Sequence, residues 1–375
     1  MGAARSATGL EDFGPTIFID GLQRLVSSIN REAQLTDGGL LAQEQRLLGL
    51  LVNRLRHEQS IAAHAGIADQ EIRAPIVIVG LPRTGSTMTH RLLAADPDHT
   101  AMLWWEGRHP AMLPGEVRGE PEERRALGRA EVEAVVAASP EALDIHPWQH
   151  DGADEEILLL EHTFLSTTPE AFMNVPSYSE WVEAQDHTAA YEDLHRMLQA
   201  LQWQNPGRER KRWILKSPHH LGFIDKLMNV FEDALIVQTH RHPLETVPSF
   251  CSMCANLAEP LTEAPDPAAI GTHWAGKLNR ALLHCMNVSD DTPDRFLHLH
   301  FRDMVTDPIA QMQRLYAFTG EAFGDRAEAA MRAYREDDAH QPGSHRYALE
   351  DYGLDETTIR TMYGAYIERY GLERV

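Results

Sequence analysis

Residues 80–87, GLPRTGST, place two glycines around a proline and an arginine and follow them with two hydroxyls. Glycines at this spacing let a chain bend tightly and bring its N–H groups close to an oxyanion. A helix opening at residue 86 adds first-turn N–H groups without intrahelical partners and a favourable dipole. Gly80 and Gly85 keep the spacing of the nucleotide loop G-x-x-x-x-G-K-[ST], yet Ser86 stands where that loop carries lysine, and the nearby base is Arg83. The anion cradle is therefore assigned to Pro82, Arg83, Thr84, Gly85, Ser86 and Thr87. The alternative is an ordinary tight turn with Ser86 or Thr87 capping a helix.

Two more bases end apolar runs. Lys216 closes RWILK, Arg241 follows ALIVQTH, and Ser249 lies farther along the segment after Arg241. A metal-dependent kinase or nucleotide hydrolase usually ends such a strand in aspartate, which helps to hold magnesium near the phosphates. Here the run ends in His240 and Arg241, which favours direct contact between arginine and a second anionic group. No metal is expected, because His219/His220 and His240/His242 lack the spacing of facing ligands. His219 and His220 would fall in the first turn after Ser217, a plausible N-cap, and Pro218. The competing reading of Lys216 is a solvated strand end.

These side chains need a scaffold, and the hydrophobic pattern describes one. APIVIVG is a short β-branched run ending in glycine, as expected of a strand buried on both faces of a parallel sheet. RWILK, ALIVQTHR and RFLHLHF each precede a helical pattern, so strand and helix alternate four times. In an open parallel sheet the carboxyl ends of the strands carry the ligand crevice, which is where Arg83, Lys216 and Arg241 would gather. The expected fold class is α/β: a P-loop-like parallel β-sheet flanked by helices, with an N-terminal helical segment at 1–72 packed on the core at 73–375 and a helical or loop cap insertion at about 100–210. Leu41, Leu48, Leu51 and Leu55 form a stripe at helical spacing. Core packing is the first explanation, with contact between copies of the chain, a homo-oligomer, as the second.

Composition narrows the partners. Across 375 residues, 34 Lys and Arg face 56 Asp and Glu, a net charge of −22, which disfavours nucleic acid and anionic membrane surfaces and requires a local basic pocket for an anionic ligand. The three cysteines cannot form a disulfide framework and read as reduced thiols of a cytoplasmic protein. Neither a signal peptide nor a transmembrane segment is evident.

Taken in order, these motifs resemble the sulfotransferases that use 3'-phosphoadenosine 5'-phosphosulfate (PAPS), especially their bacterial, actinobacterial branch. GLPRTGST resembles the 5'-phosphosulfate loop, THRHPLETVPSF the 3'-phosphate motif with Arg241 and Ser249 at its binding positions, and WILKSPHHL the strand-and-lysine motif. HLHFRDMVTDP and GSHRYALEDYGL resemble later signatures, so the similarity runs over roughly 75–360. The resemblance implies PAPS as donor, 3'-phosphoadenosine 5'-phosphate (PAP) as product, no metal, and a small-molecule hydroxyl acceptor such as a phenol, sterol, quinone or lipid alcohol. It further implies that Arg346, with His345 and Ser344 behind it, closes over the 3'-phosphate. Lys216 and Arg83 are suited to charge on the transferring group. The first candidate for general base is Glu106, in a segment where other sulfotransferase branches carry a catalytic glutamate; a salt bridge to Arg83 or Arg108 is its alternative role. His219 and His220 are rival bases, although Ser217 and Pro218 interrupt the spacing seen in the cytosolic animal branch. A small-molecule or nucleotide kinase and a non-catalytic nucleotide-binding protein are the alternative functions.

Overall fold

The computed structural model describes residues 1–138, 149–337 and 347–372. The chain forms two compact units: Met1–Ile72 with Met102–Lys211 and Leu257–Ala264, and Arg73–Ala101 with Arg212–Asn256 and Pro265–Val375.

The second unit is built on a five-stranded sheet in the order β2-β3-β1-β4-β5, with β1 Ile76–Gly80, β2 His99–Thr100, β3 Arg212–Lys216, β4 Leu235–His240 and β5 Phe296–His300. Every pairing is parallel. All five residues of β1 are buried, which is why its sequence is continuously apolar instead of alternating. One face sets Ile76, Ile78, Ile214, Val237 and Leu299 against Leu92, Leu93, Met312 and Leu315 of the helices Ser86–Ala95 and Pro308–Thr319. Because β3 and β4 lie on opposite sides of β1, the loop after β1 occupies the topological switch point, where such sheets open a crevice.

The four strands expected from apolar runs are present, but a fifth was not foreseen. β2 is two residues long and exists because His99 and Thr100 pair with Arg212 and Trp213, an association no local pattern announces. Within the first unit, helices Phe18–Glu32 and Asp37–Ala63 contribute Phe18, Leu25, Leu51 and Leu55 to a core with Phe164, Tyr178 and Val182. The leucine stripe is only half core: Leu51 and Leu55 are buried, whereas Leu41 is 54% and Leu48 36% exposed, because packing elements cover the later turns of that helix.

Candidate functional site

The loop after β1 is held by hydroxyls from within the sheet. Thr84, fully buried, donates through Oγ1 to the Leu81 carbonyl at 2.7 Å and meets Thr239 Oγ1 of β4 at 2.6 Å. The Thr239 hydroxyl is also 3.2 Å from the Val79 carbonyl. The Thr84 side chain is therefore committed to the loop itself, and its backbone is what the residue can offer a ligand. Arg83, exposed, sits at φ 70° and Gly85 at φ 85°, two left-handed positions flanking Thr84 that turn the chain into the helix Ser86–Ala95. Pro82 is buried beneath this turn, and Ser86 and Thr87 are partly buried at the helix start.

Lys216 reaches this helix start from β3. It is 2% exposed and donates through Nζ to Thr87 Oγ1 at 3.4 Å, so it is not a solvated strand end. The turn after the strand fixes its direction: the Ser217 hydroxyl accepts the His219 N–H at 3.2 Å, and Pro218 opens a stretch of 3-10 helix, Pro218–Phe223. His219 and His220 are both buried in that stretch.

Arg241 reaches the same loop from β4. Its Nη1 donates to the Arg83 carbonyl at 3.2 Å, its Nε donates to Glu245 Oε2 at 2.7 Å, and its guanidinium carbon lies 4.1 Å from the centre of the Phe301 ring. A Cβ at Gly85 would come within 3.0 Å of the same ring. Phe301, Glu245 and Thr239 are thus parts of the site that motif reading missed; the first comes directly after β5 and the second lies one helical turn beyond Arg241. Ser249 is buried on the helix Pro243–Ala258. Beside Arg241 lies a cavity of about 350 Å³ whose lining includes His240, His300, Phe301, Arg302 and Gly371.

Burial decides the protonation of the histidines here. It holds His240 well below the usual imidazole range, with His298, His300 and Arg369 acting in the same direction, and it brings His298 down to about 4. Burial thus keeps these two imidazoles neutral at neutral pH, so neither adds positive charge beside Arg241.

Glu106 belongs to the first unit and is 3% exposed. Arg208 grips both its oxygens, Nη1 to Oε1 at 2.7 Å and Nη2 to Oε2 at 2.9 Å, and the Leu103 N–H donates to Oε2 at 2.9 Å. Its ion-pair partner is thus Arg208, not Arg83 or Arg108; Arg108 pairs with Glu131. Ser344, His345 and Arg346 lie outside the described residues.

Known proteins share this architecture. A family model described as the sulfotransferase family matches residues 75–325. The crystal structure of sulfotransferase STF1 from Mycobacterium tuberculosis H37Rv aligns with a TM-score of 0.86 at 30% identity over 97% of each chain. That of sulfotransferase STF9 from Mycobacterium avium aligns with a TM-score of 0.89 at 25% identity, covering 99% of this chain and 95% of that one. The omega-hydroxy-beta-dihydromenaquinone-9 sulfotransferase Stf3 of Mycobacterium bovis is 26% identical over 315 residues, which is 80% of this chain and 76% of the relative.

Proposed function

The chain belongs to the sulfotransferase family, and from that membership we propose that it transfers the sulfuryl group of PAPS to a hydroxyl of a small-molecule or lipid acceptor. The observation that carries this reading is the convergence of two cations on one loop: Lys216 Nζ touches the first helical turn at Thr87, and Arg241 is hydrogen-bonded to the loop carbonyl of Arg83. A donor with a 5'-phosphosulfate and a separate 3'-phosphate needs two such contacts.

The cradle suits a phosphate oxygen. A Cβ at Gly80 would lie 2.4 Å from Thr239 Oγ1, so the loop keeps its backbone close to β4 and leaves its N–H groups to face outward at the helix start. In this reading the N–H groups of residues 84–87 and the Ser86 and Thr87 hydroxyls hold the 5'-phosphosulfate, and Arg241 with Ser249 holds the 3'-phosphate. Arg346, His345 and Ser344 would close over that phosphate. The donor supplies an activated sulfuryl group: the acceptor oxygen bonds to sulfur as the bond between sulfur and the 5'-phosphate oxygen breaks, and PAP leaves. Lys216 and Arg83 offset the charge that collects on the leaving oxygen. The acceptor's proton passes to a base, for which Glu106 is the choice. Arg208 and the Leu103 N–H hold that carboxylate in place, and Oε1, which takes only one of these hydrogen bonds, keeps a lone pair for an acceptor hydroxyl. His219 and His220 take the role if Glu106 does not.

Because Stf3 of Mycobacterium bovis is named for a hydroxylated menaquinone, a lipid alcohol of quinone type heads the acceptors. The test is transfer of label from PAPS to lipid and phenolic extracts. Label on a lipid or phenol, with PAP binding indifferent to magnesium, supports the reading. Magnesium-dependent ATP binding would point to a kinase, and failure to label any acceptor would point to nucleotide binding without catalysis. Glu106→Gln is expected to lower turnover by about 10² or more with PAP binding intact; unchanged turnover removes Glu106 as the base.

A further inference from the structure

Arg241 is presented by a strand end that is fixed on several sides. His240, the residue before it, is 1% exposed and engages both ring nitrogens: Nδ1 lies 3.0 Å from the Tyr366 hydroxyl and Nε2 lies 3.0 Å from His298 Nδ1. His298 Nε2 reaches Ser289 Oγ at 3.4 Å. The His240 ring also stacks on Tyr370, centroids 3.9 Å apart. Tyr366, fully buried in the helix Glu356–Tyr370, takes a further hydrogen bond from the backbone of Arg241 itself. One phenol oxygen thus holds the His240 side chain and the Arg241 main chain together.

The sequence Tyr366, His240, His298, Ser289 can be protonated in two directions. If Tyr366 donates to His240 Nδ1, the His240 Nε2–H donates to His298 Nδ1, and the His298 Nε2–H donates to Ser289 Oγ. If the Ser289 hydroxyl donates instead, every bond between them reverses. Each direction as written carries one proton per imidazole, and a second proton on both rings at once would set two N–H groups face to face across the His240–His298 bond. The groups facing His240 are His298 and His300 from β5, and Tyr366, Arg369 and Tyr370 from the C-terminal helix, with Arg241 and His242 next in the chain. None of these is a carboxylate, and Asp290, which favours a proton on His298, is outweighed there by burial, Arg369 and His300, so the chain of bonds stays closed at neutral pH.

We propose that Tyr366 is a positioning residue for the 3'-phosphate of the donor, fixing the aim of the Arg241 guanidinium through His240 and the Arg241 backbone. The proposal rests on PAPS being the donor. It is tested by calorimetric titration of PAP and of adenosine 5'-monophosphate, which lacks the 3'-phosphate, into the wild type, Arg241→Ala, Tyr366→Phe, His298→Ala and His298→Asn. Tyr366→Phe removes one oxygen from a buried network and is expected to weaken PAP about tenfold while leaving the monophosphate unchanged. His298→Ala should do the same, and His298→Asn, whose amide can stand in for Nδ1, should recover most of the loss. Wild-type PAP affinity in Tyr366→Phe overturns the proposal, as does an equal loss for both nucleotides, which would mean general loosening. Should Tyr366→Phe not fold, the His298 pair decides: unchanged PAP affinity in the alanine variant overturns the proposal, and loss with recovery in asparagine supports it. Arg241→Ala separates the layers. If it leaves PAP binding unchanged, the donor reading falls and the proposal with it; if it weakens PAP where Tyr366→Phe does not, only the proposal falls.

Discussion

Gly80 takes φ 155°, and a Cβ there would lie 2.4 Å from Thr239 Oγ1 and 2.6 Å from the Thr239 carbonyl oxygen. Neither neighbour can give way, since the hydroxyl is bonded to Thr84 and the carbonyl belongs to the β1–β4 ladder. Gly80→Ala is therefore expected to cost about 3 kcal/mol in denaturant unfolding and to abolish PAP binding with it. Thr239→Val is the finer probe: it keeps the shape and removes the hydroxyl, so stability should fall by only about 1 kcal/mol while PAP affinity drops more visibly. An equal PAP affinity in that variant would mean the loop holds its form without the latch. The basic residues of this site were legible because charge at the end of an apolar run stands out. Thr239 was not, because a hydroxyl inside a β-branched run reads as strand propensity, and its partner Thr84 is distant in sequence.

The same division holds for whole elements. β1, β3, β4 and β5 were legible as apolar runs ended by glycine, lysine, histidine or a basic loop, and Ser217 with Pro218 marked the next turn because each supplies what a helix start lacks. β2 carried no signal, being made by its neighbour. The first unit hides more, because buried charges look like a solvated helix face. Arg54, 2% exposed in the helix Asp37–Ala63, donates to the carbonyls of Phe13, Pro15 and His162 and to Asp193 Oδ2 at 2.7 Å, with its guanidinium over Phe18. It thereby ties the N-terminal stretch of chain to two helices that sequence periodicity alone cannot pair. Burial acts to raise the Asp193 pKa, but Arg54 and its neighbours overrule it and hold the carboxyl below the usual range. Arg54→Met leaves that carboxylate buried without its main partner and should cost about 3–5 kcal/mol in chemical denaturation. Replacing Asp193 as well, by leucine, should return part of the loss, because no buried charge is then stranded; a double variant no more stable than the single one would contradict this account.

At the scale of the whole chain, acidity and buried histidines pull in opposite directions as the pH falls. With a net charge of −22 the folded protein repels itself at neutral pH, and protonation of exposed groups relieves that repulsion in a way salt can imitate. The buried imidazoles act the other way. Burial brings His57 and His162 in the first unit down to about 4, and His298 in the second as well, with His240 shifted in the same direction. Between the unfolded value near 6.5 and the folded value the unfolded chain binds more protons, so the stability these groups contribute is intact above about pH 6.5 and is lost as the pH falls through that window. For a fully buried imidazole such as His57 or His162 the loss is about 3 kcal/mol by pH 4, so two of them remove a large part of the roughly 5–15 kcal/mol that holds a typical domain. The unfolding midpoint should drop steeply from about pH 6.5 to about pH 4, and roughly 0.5 M salt, which screens surface charge but does not reach buried rings, should leave the slope in place. His57→Asn and His162→Asn, compared with the wild type across the same window, should each flatten that slope even where they lower stability at neutral pH; slopes that stay parallel would assign the acid sensitivity to other groups.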